Sequence, residues 1–165
     1  MQKLEPPDSH HLNAAEGWLG LGDWISANRE LEKIDAYLCA HPSVLQTRFY
    51  VCASANQWIM AAGIAQALTV VDPGNPFGWI DWACALYELK RINEARSILL
   101  SVVDKFPNEY LIRYSLACYA CQQGNLSEAL LWLDKARSLA DKKEVAQMVQ
   151  SNPSLKPLWN EIGEA

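Results

Sequence analysis

Five cysteines and three histidines are the residues of this chain best suited to redox, metal or nucleophilic chemistry. Cys118 and Cys121 have the CxxC spacing that can hold a metal or a redox disulfide. A structural zinc site needs four ligands, usually two such pairs, and no histidine lies near this pair in the sequence. The other cysteines stand singly in predicted helices: Cys39, Cys52 and Cys84. We therefore interpret the cysteines as small buried or half-buried side chains, and we expect no metal and no disulfide.

The histidines and glycines offer no catalytic set. His10, His11 and His41 lie near predicted helix ends and turns, and no nucleophile or acid stands at a catalytic spacing from them. The stretch GWLGLG at 17–22 superficially resembles a phosphate-binding loop, but no strand precedes it and no Lys-Ser/Thr pair follows. The sequence therefore predicts a protein that is not an enzyme and that has no cofactor.

Composition narrows the class of partner. Half of the 165 residues are hydrophobic, so a continuous core can be buried, and the net charge is −5. Binding to nucleic acid or to an anionic lipid surface needs clustered Lys and Arg, and no basic stripe is present. No apolar run approaches the roughly 20 residues of a membrane span, and the first residues lack the apolar core of a signal peptide. We expect a cytoplasmic protein with no nucleic-acid or membrane partner.

Residue types recur at intervals of 34 along most of the chain. One column is alanine throughout: Ala27, Ala61, Ala95 and Ala129. Three further columns keep the same step: Trp24, Trp58, Ile92, Leu126; Leu31, Ala65, Leu99, Leu133; and Ala15, Phe49, Ala83, Ala117. Turn-forming pairs return at the same interval: Gly22-Asp23, Asn56-Gln57, Lys90-Arg91 and Gly124-Asn125. Small residues at a fixed offset let stacked helices approach to roughly 8–10 Å, so the pattern predicts repeated helix pairs.

The apolar spacing within each interval is that of amphipathic helices. The predicted helices are 10–21, 24–40, 44–55, 58–71, 76–89, 92–105, 109–122 and 126–140. Five tryptophans fall on their apolar faces and are expected to pack in the core: Trp18, Trp24, Trp58, Trp79 and Trp82. Residues 1–9 are expected to be a flexible lead. Two apolar stripes follow the repeats: Val145, Met148, Val149, and then Leu155, Leu158, Trp159, Ile162.

The pattern resembles the tetratricopeptide repeat, a helix–turn–helix unit of 34 residues. Trp79, Ala83, Ala95 and Pro107 fill its marked offsets in the third copy, and the resemblance covers most of the chain. It implies an all-α, right-handed α-solenoid of four repeats over 10–141 (about 8–41, 42–75, 76–109 and 110–141). A solenoid exposes an apolar face at its last repeat, so we interpret 142–165 as a C-terminal cap with Trp159 as its anchor. The sequence departs from the family at Arg48 and Arg113, where an apolar residue is usual.

The resemblance also implies a binding surface. In the family the first helices of successive repeats line a concave groove that takes extended or helical peptides. Carried over by offset, the lining is Glu16, Leu19, Gln46, Thr47, Tyr50, Ser54, Phe77, Ile80, Asp81, Cys84, Tyr87, Glu88, Tyr114, Ser115, Cys118 and Gln122. Tyr50, Tyr87 and Tyr114 are expected along one surface, with Asp81 and Glu88 as exposed charges beside them. The same residues could instead pack against neighbouring first helices, and the sequence leaves both alternatives open.

One subclass of the family grips a terminal carboxylate with Lys, Arg and Asn. The matching offsets here carry none of these: Leu12, Glu16, Thr47, Phe77 and Asp81. The expected partner is instead an apolar segment with basic residues. The sequence predicts a non-enzymatic protein-interaction module or adaptor. A small secretion chaperone is the first alternative and a metal or redox protein the second; the oligomeric state is left open.

Overall fold

The structure is a computed structural model that describes residues 3–159 of the chain. Those residues form helices and turns and contain no strand. The chain divides into two compact units, Met1–Lys90 and Arg91–Ala165, which are described in turn. None of the helices in the described residues is both long enough and apolar enough to cross a membrane.

Unit 1 holds two complete helix pairs and the first helix of a third. Its helices are α1 (Asp8–Gly20), α2 (Trp24–Leu31), a 3₁₀ helix (Ala36–Leu38), α3 (Pro42–Ser54), α4 (Trp58–Val71) and α5 (Pro76–Glu88). Two of them begin at proline, where the missing N–H is no loss. Consecutive helices pack side by side, α1 with α2, α3 with α4 and α4 with α5. The observed bounds match the predicted helices to within a few residues, apart from the second helix.

Unit 2 contains the rest of the repeats and the tail. Its helices are α6 (Ile92–Val102), α7 (Tyr110–Gln122), α8 (Leu126–Arg137), α9 (Lys142–Ser151) and a second 3₁₀ helix (Pro153–Leu158). The α7–α8 pair is its most closely packed element pair. Asn125 caps α8 by accepting a hydrogen bond from the Glu128 backbone N–H.

Three of the four predicted columns are buried, and the fourth is half-buried. The four alanines of the first column are completely buried, at 0% exposure each. The leucine and alanine column that begins at Leu31 is equally buried, and the column of first-helix residues that begins at Ala15 reaches at most 3% exposure, at Phe49. The column that begins at Trp24 is half-buried. The predicted all-α class built of helix-pair repeats is confirmed.

Each repeat turns between its two helices through one left-handed residue. Gly22, Asn56, Lys90 and Gly124 have φ of 78°, 56°, 64° and 77°, and they stand 34 residues apart. A left-handed conformation brings Cβ close to the following carbonyl, which glycine avoids and asparagine tolerates. Lys90 has neither advantage, so its turn is the most strained of the four.

Replacing Lys90 by glycine should therefore stabilise the chain. Relief of the left-handed strain is worth roughly 1–2 kcal/mol, and the greater freedom of glycine in the unfolded state takes back about half of that. We expect Lys90→Gly to raise the free energy of unfolding by about 0.5–1 kcal/mol in urea denaturation. Lys90→Ala is the control, because it removes the same side chain and keeps Cβ. An equal gain in both variants would show that backbone strain is not the cause.

The second helix of the first repeat is much shorter than predicted. The expected helix 24–40 ends at Leu31 and is followed by the 3₁₀ helix. Asp35 adopts an extended conformation, with ψ of 139°, and its side chain accepts a hydrogen bond from the Tyr37 N–H. Its own N–H donates to Asp8 Oδ1 at 2.8 Å. One of these hydrogen bonds is local and the other reaches Asp8, 27 residues away; both compete with helix continuation, which is why the periodic pattern alone overestimated the length.

The two arginines at usually apolar positions satisfy backbone carbonyls. Arg48 Nη2 donates to Leu31 O at the end of α2, at 3.1 Å. Arg113 Nη1 donates to Phe106 O and Glu109 O, at 3.1 and 3.0 Å, in the connection before α7. Carbonyls near helix ends lack intrahelical partners, and a cation is favourable there. Both arginines therefore have a structural role.

Two expectations about buried residues are wrong. Trp18 is 40% exposed, whereas Trp24, Trp58, Trp79 and Trp82 are half-buried. Cys84 is exposed, whereas the other four cysteines are buried or half-buried; all five are free thiols.

The tail continues the 34-residue register before it breaks off. Tyr110 Oη donates to Glu144, and Tyr114 Oη donates to Met148 O, so α9 lies on α7 as the first helix of a further repeat would. Pro153 then ends the helical run, and the second 3₁₀ helix packs on α7 and α8. The completely buried tail residues are Val145, Val149, Leu155 and Leu158.

Trp159, the predicted anchor of the tail, is not its most buried contact. Trp159 is 37% exposed and donates its indole N–H to Val149 O within the tail itself. Leu155 and Leu158 are the buried contacts instead. Ile162, the last residue of the predicted stripe, lies outside the described residues.

Candidate functional site

A cavity of about 470 Å³ opens between α1 and α3 in unit 1. Its lining is Glu16, Leu19, Gly20, Gln46, Thr47, Tyr50 and Ser54. Six of these seven residues belong to the predicted groove lining. The lining positions on α1 are 16, 19 and 20 and those on α3 are 46, 47, 50 and 54, so each helix offers one face to the cavity. We call this cavity and its lining the unit 1 groove.

Hydrogen bonds hold the polar side chains of the groove in place. Thr47 is 3% exposed, and its hydroxyl lies 3.0 Å from Ser43 O and 3.4 Å from Glu16 Oε1. Gln46, one residue earlier on α3, donates its amide to Asp81 Oδ2 on α5 at 2.5 Å. Side-chain hydrogen bonds from α3 therefore reach both α1 and α5.

Asp81 is not the exposed charge that the sequence predicts. It is 7% exposed, and it accepts a hydrogen bond from Gln46 of α3. Burial raises the pKa of its carboxyl to about 6, and the hydrogen bond from Gln46 opposes that shift only in part. The expectation of an exposed rim charge is corrected accordingly.

Two aromatic residues in and near the unit 1 groove are exposed to solvent. Tyr50 and Phe77 are 45% and 44% exposed, and the Tyr50 ring meets the edge of Phe49 with centroids 5.5 Å apart. Partial burial raises the pKa of Tyr50, and the negative charge of Asp81 raises it further. The remaining predicted residues on α5 are half-buried (Ile80, Tyr87) or exposed (Cys84, Glu88).

In unit 2 the tail covers two of the predicted groove residues, while Gln122 stays exposed. Tyr114 and Cys118 are 8% and 6% exposed, and Ser115 is half-buried. The Asn152 amide reaches both side chains, at 2.9 Å from Tyr114 Oη and 3.4 Å from Cys118 Sγ. The expectation that these two residues line an open surface is therefore corrected: they hold the tail.

The CxxC pair lies inside unit 2 without the features of a reactive site. Burial raises the pKa of the Cys118 thiol to about 12, so it stays protonated at neutral pH. Cys121 is buried too, and its thiol pKa is also raised by burial. Within residues 3–159 no three His, Cys, Asp or Glu side chains are grouped as metal ligands would be.

Two contributors to these surfaces were missed in the sequence. Gly20 lines the groove one turn after Glu16, so helical spacing alone could have predicted it. Asn152 stands 34 residues after Cys118, as Met148 does after Tyr114. Extending the repeat register into the tail would have indicated these contacts.

Comparison with known proteins identifies the fold and leaves the family open. No family model matches the sequence, and no curated protein matches it. Among solved structures, MamA 41-end from Desulfovibrio magneticus RS-1 superposes with a TM-score of 0.72 at 16% identity, over 98% of this chain and 96% of that one. The MamA RS-1 ArsTM double mutant gives 0.69 at 14% identity, over 90% and 80% of the two chains, and MamA MSR-1 C2 gives 0.66 at 20% identity, over 81% and 76%. At these identities the likeness shows a shared helical-repeat fold.

Proposed function

We propose that this chain is a non-enzymatic protein-interaction module, and that the unit 1 groove takes an extended segment of a partner protein. The observation that carries the proposal is the exposed ring of Tyr50 in the lining of a cavity that has both apolar and polar side chains. A tyrosine offers a large contact area at a small cost in conformational entropy. Its hydroxyl can form a hydrogen bond with water or with the partner. Such residues are typical anchors of binding surfaces.

The rest of the groove suits a peptide chain. Its lining includes Leu19 and Gly20 as apolar contacts, while Glu16, Gln46 and Ser54 offer polar groups. A surface of this mixed character binds by burying apolar side chains and by pairing the peptide backbone with fixed polar atoms. The helical-repeat fold shared with the MamA structures supports a scaffold role for the chain.

The test is a selection from a displayed library of random dodecapeptides on the immobilised full chain. We expect a common sequence pattern among the enriched peptides, and Tyr50→Ala should weaken their binding about 30-fold, the loss of roughly 2 kcal/mol typical of a buried aromatic anchor. The matched control is Tyr37→Ala, since Tyr37 is 67% exposed and lies outside the groove. Circular dichroism verifies that both variants are folded. Enriched peptides that bind wild type and Tyr50→Ala equally would refute the groove as the binding site.

A further inference from the structure

Asp81 is a buried carboxylate without a cationic partner. Its exposure is 7%, and the described hydrogen bond it receives is the one from Gln46 to Oδ2. None of the ion pairs found among residues 3–159 involves it. A buried charge usually has a counter-charge, because burial alone strongly disfavours the ionised form. A neutral amide at this position would not carry this desolvation cost.

Basic side chains of unit 1 are engaged elsewhere. Lys33 and His11 both pair with Glu30, at 2.7 and 2.9 Å. Arg48 donates to Leu31 O, and Lys90 lies over the ring of Tyr87 at 5.8 Å from its centroid. Helix α4, which packs against α5, has no charged residue at all. None of these side chains pairs with Asp81, and no ion pair among the described residues compensates its charge.

One oxygen of Asp81 remains available to a cation. Oδ2 receives the Gln46 amide, whereas Oδ1 accepts no hydrogen bond from the described residues. Among the described residues, the buried side-chain atoms that have no hydrogen-bond partner are Arg48 Nε and Arg96 Nε. Asp81 Oδ1 is not one of them. Oδ1 of Asp81 is therefore not sealed from solvent.

The surroundings of Asp81 favour a positive group. Phe77, 44% exposed, precedes Asp81 by one helical turn on α5, and Tyr50 on α3 is close enough for the Asp81 charge to raise its pKa. Aromatic faces attract cations. Glu16 at the groove is exposed and adds negative potential.

We propose that Asp81 selects the partner, by accepting the ammonium or guanidinium group of one Lys or Arg in the bound segment, with the apolar neighbours of that residue lying against Tyr50 and Phe77. The proposal rests on the function proposed above and names the chemistry of its ligand. Asp81 acts as a specificity-determining residue beside the groove, joined to the groove lining by its hydrogen bond from Gln46. Because its carboxylate is fixed and desolvated, it discriminates between a cation and a neutral side chain more strongly than an exposed acid would.

The experiment repeats the dodecapeptide selection on Asp81→Asn and on Glu88→Gln, which removes the same charge from an exposed position of the same helix. With the wild type and Glu88→Gln we expect Lys or Arg at one fixed position among the enriched peptides. With Asp81→Asn that preference should disappear while the apolar positions persist. A synthetic peptide from the wild-type selection, with its Lys replaced by norleucine or its Arg by citrulline, should lose at least tenfold in affinity for wild type and less than threefold for Asp81→Asn.

The outcomes separate this inference from the proposed function. Enriched peptides that need Tyr50 but show no fixed basic position would overturn the role of Asp81 and leave the groove standing. An equal loss of affinity in wild type and Asp81→Asn on neutralising the basic residue would also overturn it. If no peptide is enriched over the Tyr50→Ala variant, the proposed function fails and the inference fails with it.

Discussion

A chain that lacks residues 142–165 should lose the native packing of unit 2 and aggregate. Four tail side chains, Val145, Val149, Leu155 and Leu158, have 0% exposure, and burying each is worth about 1.5–3 kcal/mol. Their removal also uncovers Tyr114 and Cys118 on α7, together with apolar surface of α8. A repeat protein whose last helix pair is left bare exposes an apolar patch that associates with other copies.

Size-exclusion chromatography with light scattering and thermal unfolding by circular dichroism would measure this effect. Two point variants separate the apolar contact from a general sensitivity of the tail. Leu155→Asp should behave like the deletion, whereas Lys156→Asp, at an exposed neighbouring position, should be close to wild type. A truncated chain that stays monomeric with an unchanged melting temperature would mean that the tail does not stabilise the repeats.

The helix pairs were predictable from the sequence because close packing leaves a periodic mark. Wherever two helices approach through Ala27 or its counterparts, only a small side chain fits, so the interval is visible without any coordinates. The break after Leu31 left no such mark. It depends on Asp35 and on its contact with Asp8, which is 27 residues away, and a helical pattern does not record such a competing hydrogen bond.

The sequence predicted which helix faces line the candidate site, but it did not predict how deeply individual residues are buried. Helical spacing and the family resemblance placed Glu16, Gln46 and Tyr50 on one side of their helices, and the structure brings them to one cavity. The burial of Asp81 could not be foreseen, since it depends on where the Gln46 side chain of another helix comes to lie. Tyr114 was expected to be exposed because the prediction did not extend the 34-residue register into the tail, where Met148 contacts it.

The charge of Asp81 should make the protein less stable at neutral pH than at mildly acidic pH. Its pKa is raised by burial from 3.8 to about 6, so the folded state holds this proton more tightly than the unfolded state does. A raised pKa contributes stability that is fully present below pH 3.8 and is lost as the pH rises through 6. At 1.36 kcal/mol per pKa unit, the loss amounts to about 3 kcal/mol.

Asp81→Asn should therefore stabilise the chain by up to about 3 kcal/mol at pH 7.5, and by little at pH 4. Asparagine keeps the shape of the protonated acid, and its carbonyl oxygen can still accept the hydrogen bond from Gln46. Urea denaturation at the two pH values measures the difference, and Glu88→Gln, an exposed carboxyl on the same helix, should show almost none at either. A variant that is less stable at pH 7.5, or equally stabilised at both pH values, would contradict the burial of an uncompensated charge. A stabilised Asp81→Asn that no longer prefers basic peptides would indicate that the acid serves binding at the expense of stability.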